Sequence, residues 1–112
     1  MERRRCNRIP VILKAKVIIG DKTYAGFIEN VSVEGIKYSI TSFFQTTKDF
    51  TPEMIIKLNF QNPSGETLNL NCELIWFSKI SPNDTELTLG MKIIDPPQNY
   101  KEFVRTLIAG TK

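Results

Sequence analysis

Histidine is absent from this 112-residue chain. Its absence removes the commonest general base, the usual partner of a serine or cysteine nucleophile, and the commonest metal ligand. The two cysteines, Cys6 and Cys72, lie far apart and outside any metal-ligand spacing, so we expect free thiols. The sequence therefore gives little support to an enzyme, a metal site or a bound cofactor.

Long apolar runs are also lacking, because no stretch approaches the roughly 20 residues that span a bilayer. The basic start MERRR precedes the apolar stretch IPVILKAKVIIG, which would suit a signal peptide. However, Lys14 and Lys16 interrupt this stretch and no small-residue cleavage site follows. We therefore expect a soluble, cytoplasmic protein of about one domain that makes no membrane contact.

The net positive charge of +3 is confined to the first eight residues. They hold four of the five arginines and no lysine, whereas the rest of the chain holds ten lysines and one arginine. A guanidinium is planar and permanently charged, pairs bidentately with a phosphate or a guanine edge, and stacks on a base. This segregation favours recognition of a planar, anionic ligand, although a solvated basic tail explains the arm alone equally well.

Apolar and polar residues alternate in six segments, which is the pattern of strands with one buried face and one solvent-exposed face. These segments are residues 9–19, 23–29, 36–40, 54–60, 68–76 and 87–93. After residue 97 the period changes to that of an amphipathic helix at about 97–109, with an apolar stripe of Tyr100, Phe103, Val104, Leu107 and Ile108. The stripe is expected to pack against the strands.

This order of elements predicts a mainly all-β fold, a six-stranded antiparallel β-barrel with a C-terminal α-helix that covers an open side or end. Barrel closure hides strand edges that would otherwise pair with other chains, so a flat sheet is the weaker alternative. We assign residues 1–8 to a flexible basic arm and 9–112 to the barrel domain. Trp76 falls on the apolar phase of its strand and is expected in the core, whereas Glu29, Glu34 and Asp95 are read as surface charges.

The stretch ENVSVEGIKY, residues 29–38, links the second and third predicted strands. Asn30 and Ser32 carry short polar side chains that can hydrogen-bond the local backbone or the edge of a base. Gly35 could adopt a positive φ, or it could let a ligand approach closely because it has no Cβ. Taken alone, the stretch predicts a turn containing a glycine.

The arm and this link together resemble the motifs of the PilZ domain family, six-stranded barrels that bind the bacterial second messenger cyclic di-GMP. Arg4-Arg5-Cys6-Asn7-Arg8 fits the RxxxR pattern of that family, and no other register of the arginines does. Asn30-Val31-Ser32-Val33-Glu34-Gly35 fits the [D/N]xSxxG pattern, with Asn in the first position. The resemblance covers essentially the whole chain.

The resemblance implies a cyclic di-GMP receptor that needs no cofactor. Arg4 and Arg8 would clasp phosphates and guanine faces, Asn30 and Ser32 would bind guanine edges, and Gly35 would leave room for the ligand. We expect the arm to order on binding and to present a new surface to an unknown downstream protein.

Two further arginines extend the basic arm. In the family, an arginine immediately before RxxxR, here Arg3, accompanies the binding of two intercalated ligand molecules, so we expect two rather than one. Arg5 has no family role to transfer.

Two other functions stay open at this point. A small barrel with a basic arm could bind single-stranded nucleic acid, with arginines on phosphates and exposed aromatics stacked on bases. Two observations argue against that function. The barrel body has no net charge, and Trp76 falls at an apolar position of its strand, where it is expected to be buried rather than free to stack on a base. A PilZ-type adaptor could also act through protein contacts alone, but this chain keeps the arginines that some such domains lack.

Overall fold

The computed structural model describes residues 8–40, 51, 53–79 and 87–110. Within those ranges the chain forms six strands and one helix. In chain order they are β1 (Ile9–Ile19), β2 (Lys22–Val31), β3 (Gly35–Ile40), β4 (Ile55–Gln61), β5 (Thr67–Lys79), β6 (Leu87–Ile94) and α1 (Gln98–Gly110). Arg3, Arg4, Arg5 and Cys6 of the predicted arm lie outside the described residues.

The six strands form a closed barrel in the order β1-β2-β3-β6-β5-β4, and all neighbouring strands are antiparallel. This confirms the fold predicted from the alternating sequence segments. The barrel is not a simple meander, because β3 pairs with β6 rather than with β4, and β1 closes the barrel by pairing with β4. Closure leaves each described strand with a partner on both sides, which is how barrels avoid exposed edges.

The core consists of the inward-facing residues of all six strands. The alternation is clearest in β4 and β6, where Ile56, Leu58 and Phe60 in the first and Leu87, Leu89, Met91 and Ile93 in the second are buried. Each such side chain contributes about 1.5–3 kcal/mol when it is removed from water.

Helix α1 packs at the end of the barrel where the β2–β3 link and the β4–β5 turn lie. The Phe103 ring contacts Phe60 of β4 with a centroid separation of 5.6 Å, and Tyr100 and Val104 are fully buried. The amide nitrogens of Tyr100 and Lys101 both donate to the carbonyl oxygen of Pro97, which starts the helix. The prediction that the apolar stripe packs against the barrel is confirmed for Tyr100, Phe103, Val104 and Leu107, whereas Ile108 is exposed.

Three strand pairs contain an irregular register. The shifts lie between Pro10 and Leu13 in β1, between Ile28 and Asn30 in β2, and between Leu74 and Trp76 in β5. A β-bulge places an extra residue on one strand and re-aims the side chains that follow it. These bulges decide which polar and aromatic side chains reach the outer surface near the β2–β3 link.

Candidate functional site

Arg8 and Asn30, one from each sequence motif, are in direct contact. Arg8 immediately precedes β1, Asn30 lies near the end of β2, and the guanidinium Nη1 donates a 3.0 Å hydrogen bond to the Asn30 side-chain oxygen. The pairing of Pro10 with Asn30 in the barrel brings the two side chains together. Because a guanidinium has five N–H donors, this bond leaves most of the Arg8 donors open to a ligand.

Ser32 is buried and binds the backbone of its own turn. Its hydroxyl accepts hydrogen bonds from the amide nitrogens of Gly35 (3.1 Å) and Glu34 (3.3 Å), and the Ser32 amide donates to the Gly35 carbonyl at 2.9 Å. Only 4% of the residue is exposed. Of the two roles that the sequence allowed, local backbone or base edge, the hydroxyl here takes the first.

Gly35 begins β3, and its φ is not positive. Among the described residues, the glycines with a positive φ are Gly20 and Gly65. A Cβ at Gly35 would lie 3.1 Å from the carbonyl oxygen of Met91, which is a tight contact. The glycine therefore permits close approach of β3 to β6. The first of the two sequence-based predictions for Gly35, that it adopts a left-handed backbone with positive φ, is therefore wrong.

The β2–β3 link is shorter than the sequence predicted. Only residues 32–34 lie between β2 and β3, because both strands extend into the stretch assigned to the link. Helix α1 braces it, since the Tyr100 hydroxyl donates a 2.6 Å hydrogen bond to the Ser32 carbonyl. The Ile93 amide of β6 also donates to the Glu34 carbonyl at 2.8 Å. These contacts tie the backbone of the β2–β3 link to α1 and β6.

Trp76 lies on the outside of the barrel with 43% of its surface exposed. The prediction that it belongs to the core is wrong, because alternation was counted through a bulge. Leu74 pairs with Met91 and Trp76 pairs with Gly90, so Ile75 is the extra residue and both Ile75 and Trp76 point outward. The indole covers Gly90, where a Cβ would lie 2.3 Å from its ring atoms.

Trp76 and Asn30 belong to one row of directly paired residues on the outer face of the barrel. We call this the outer row; it consists of Pro10, Asn30, Lys37, Gly90 and Trp76, on β1, β2, β3, β6 and β5 respectively. Three inter-strand steps separate Asn30 from Trp76, or about 14 Å along the surface. One end of the row is polar, where Asn30 contacts Arg8, and the other end is aromatic, where Trp76 lies.

Asn30 is the one member of this row that the sequence marked as a site residue, and Lys37 and Trp76 are the members with large functional side chains that it missed. Their place in the row follows from pairing across β2, β3, β6 and β5, which are distant in sequence. The second motif did mark Asn30, and the bulge between Ile28 and Asn30 is what turns its side chain outward.

A cavity of about 550 Å³ lies elsewhere on the barrel. It is bounded by Lys14 and Lys16 of β1, Phe27 of β2 and polar residues of β4 and β5, and it shares no residue with the outer row. In the described ranges no group of three or more histidine, cysteine or carboxylate side chains could hold a metal ion. Over the same ranges no helix is long and apolar enough to cross a membrane.

Comparison with known protein families gives a match over nearly the whole chain. The family model of the PilZ domain matches residues 2–110. Among curated proteins, none matches the chain by sequence.

Several solved structures share the fold. The inhibitor of motility MotI/DgrA from Bacillus subtilis has a TM-score of 0.77 at 12% identity, covering 97% of this chain and 51% of its own. The PilZ domain of YcgR from Escherichia coli, solved with c-di-GMP, has a TM-score of 0.73 at 14% identity, covering 96% and 91%. The MrkH–c-di-GMP complex from K. pneumonia scores 0.71 at 10% identity, covering 97% and 52%. This chain thus spans about half the length of MotI/DgrA and MrkH, and the likeness at these identities concerns the fold.

Proposed function

The chain belongs to the PilZ domain family, and from that premise we propose that it is a receptor for cyclic di-GMP, binding the messenger over the outer row. It acts by binding rather than catalysis, needs no cofactor, and works in the cytoplasm. Two of the proteins that share its fold, YcgR and MrkH, were solved with this ligand.

The 3.0 Å hydrogen bond between Arg8 and Asn30 is the observation that carries the proposal. It joins the last residue of RxxxR to the first residue of [D/N]xSxxG at one edge of an outward-facing polar surface. The remaining guanidinium donors of Arg8 suit a phosphate or the O6/N7 edge of guanine, as charge-assisted, bidentate contacts. The Asn30 amide can bind a second base edge.

The other motif residues take different parts in this proposal. Arg4 and Arg3 add guanidinium groups from the arm, and Arg3 favours two intercalated ligand molecules over one. Ser32 contributes through its turn, which fixes the position of Asn30 relative to β3, and Gly35 keeps that turn close to β6. We assign no contact to Arg5.

Trp76 supplies an aromatic surface at the far end of the outer row. A guanine ring or an arginine from the arm can stack on an exposed indole, and stacking of a base on an aromatic side chain is worth about 1–3 kcal/mol. Its fluorescence therefore serves as a probe of binding in the unmodified protein.

In this proposal, ordering of the arm on ligand binding is the change that transmits the signal. Residues that fold over the ligand lose roughly 1–2 kcal/mol of backbone entropy each, offset by ionic hydrogen bonds to the phosphates. The ordered arm and the bound ligand together form a surface that the free protein lacks. A downstream protein, whose identity the chain does not specify, would recognise that surface.

Binding of single-stranded nucleic acid is the second candidate, and the exposure of Trp76 favours it. That exposure removes one of the two arguments that the sequence raised against it. The neutral barrel body remains against it, because such binding relies on many phosphate contacts and on a positive groove.

Isothermal titration calorimetry distinguishes the two candidates. We expect micromolar or tighter binding of cyclic di-GMP, no comparable binding of a single-stranded oligonucleotide, and loss of binding in Arg4→Ala and Arg8→Ala. Arg105→Ala is the matched control, since Arg105 is an exposed arginine on α1. Binding of the oligonucleotide alone, or equal affinity in the Arg8→Ala and Arg105→Ala variants, would overturn the proposal.

A further inference from the structure

Glu29, Lys37 and Ser39 form a polar cluster on the outer face of the barrel beside Asn30. The Lys37 ammonium lies 3.5 Å from a Glu29 carboxylate oxygen, with the two side chains 39% and 40% exposed. The Ser39 hydroxyl donates a hydrogen bond to the other carboxylate oxygen of Glu29. Ser39 is itself buried, so it anchors one side of the carboxylate.

The bulge in β2 explains why Glu29 and Asn30 share this face. Ile28 pairs with Tyr38 and Asn30 pairs with Lys37, so Glu29 is the extra residue between them. In a regular strand, neighbouring side chains point to opposite faces. Here the Glu29 carboxylate reaches over β3, where it bonds Lys37 and Ser39, while Asn30 still faces Arg8.

Lys37 occupies the middle of the outer row. It pairs with Asn30 on one side and with Gly90, under the Trp76 indole, on the other. Directly opposed residues have Cβ atoms about 4.5–5.5 Å apart, so a lysine ammonium on a four-carbon stem can reach a ligand bound at either neighbour. A dianionic ligand over this row would therefore lie within reach of both Lys37 and the Glu29 carboxylate.

We propose that Lys37 is a further contact to a phosphate of the bound cyclic dinucleotide, and that Glu29 holds Lys37 in the free protein and thereby lowers the affinity. This inference rests on the proposed function. A half-exposed ion pair contributes little, about 0–1 kcal/mol, so a phosphate can displace the carboxylate. The displaced carboxylate repels the ligand as a like charge, and this repulsion limits the affinity further.

Calorimetry with cyclic di-GMP on the wild-type protein and four variants tests the inference. Lys37→Met should weaken binding by about tenfold, the size of one partly exposed charge-assisted hydrogen bond. Glu29→Gln should tighten binding by about two- to fivefold, because it removes the competing partner and the repulsion. In the Lys37→Met background, the gain from Glu29→Gln should shrink, because only the repulsion remains. Lys14→Met is the matched control for net charge, since Lys14 is an exposed lysine at the cavity away from the outer row.

A measurement on the wild-type protein avoids any effect of substitution on folding. On addition of cyclic di-GMP, the NMR signals of the Lys37 side-chain Cε and Hε should shift, and those of Lys14 should not. Equal affinities in Lys37→Met and Lys14→Met, weaker binding in Glu29→Gln, or an unmoved Lys37 signal at saturation would each overturn the inference. If the wild-type protein shows no binding at all, it is the proposed function that fails.

Discussion

The Tyr100 hydroxyl of α1 donates a 2.6 Å hydrogen bond to the backbone carbonyl of Ser32, 68 residues earlier in the chain. Both residues are buried, so the bond is shielded from water. It connects the C-terminal helix to the turn that carries the second motif. The helix therefore does more than cover the apolar end of the barrel, because it also fixes the backbone next to Asn30.

Substitution of Tyr100 by Phe should lower both stability and ligand affinity. The change removes the hydroxyl and leaves the buried Ser32 carbonyl without that donor, which costs about 1–3 kcal/mol of unfolding free energy. The loosened turn should also weaken cyclic di-GMP binding. Urea denaturation and calorimetry measure the two effects.

The matched control is Tyr38→Phe. Its hydroxyl donates to the Ala15 carbonyl at 2.8 Å and to the Tyr24 carbonyl at 3.2 Å, inside the barrel and away from the turn. This variant should lose comparable stability and keep its affinity. If the two variants lose affinity equally, the helix has no specific effect on the site.

Ser32→Ala should destabilise the turn itself. The hydroxyl is the side-chain acceptor for the amides of Glu34 and Gly35, and its loss should lower the unfolding free energy by about 1–2 kcal/mol. Hydrogen exchange at those two amides, followed by NMR, should speed up more than at the amides of residues 36–40 in β3. Ser64→Ala, in the exposed β4–β5 turn, should stay within about 0.5 kcal/mol of wild type. Unchanged exchange in Ser32→Ala would contradict the role assigned to the hydroxyl.

The sequence predicted the elements of this fold well because their periods are regular. Six alternating segments and one helical stripe correspond to six strands and α1, with the helix predicted at about 97–109 and observed at Gln98–Gly110. Burial on one face imposes this alternation, so it can be read without knowledge of pairing. The crossover that places β6 beside β3 could not be read in this way, because it depends on contacts between distant segments.

The candidate site was predicted less completely. The motifs marked Arg8 and Asn30, and the structure brings these two into contact. Trp76 was missed because one extra residue in a strand shifts the alternation of everything after it. Lys37 was missed because its place between Asn30 and Gly90 depends on the pairing of strands that are distant in sequence. The bulge at Ile75 thus reverses the face of Trp76, and no turn residue in the sequence marks it.

Gly90→Ala should displace the Trp76 indole from the barrel surface. The new Cβ would lie 2.3 Å from indole atoms in the present arrangement, a distance that forces the ring to move. We expect a red-shifted tryptophan emission, because the ring becomes more hydrated, together with weaker cyclic di-GMP binding. Thr88→Ala, on the same outer face of β6, is the control and should change neither. An unchanged spectrum in Gly90→Ala would mean that the indole does not rest on Gly90 in solution.

Cys72 makes stability depend on pH in the alkaline range. Burial raises the pKa of its thiol from 9.0 to about 12, because the thiolate is poorly solvated in the core. The unfolded chain therefore releases this proton at lower pH than the folded protein does. The contribution of Cys72 to stability is fully present below pH 9, and it is lost as pH rises from 9 towards 12, at no more than about 1.4 kcal/mol per pH unit.

Urea denaturation between pH 8 and 10 checks this sign in a Cys6→Ser background, where Cys72 is the remaining thiol. Stability should fall with pH more steeply in that protein than in one that also carries Cys72→Ala, although the alanine variant is less stable throughout because of the cavity it leaves. A thiol reagent should modify Cys72 at pH 8 only as fast as the protein unfolds. Rapid modification of the folded protein, or parallel pH profiles for the two variants, would show that Cys72 is accessible and that the core around it is open to water.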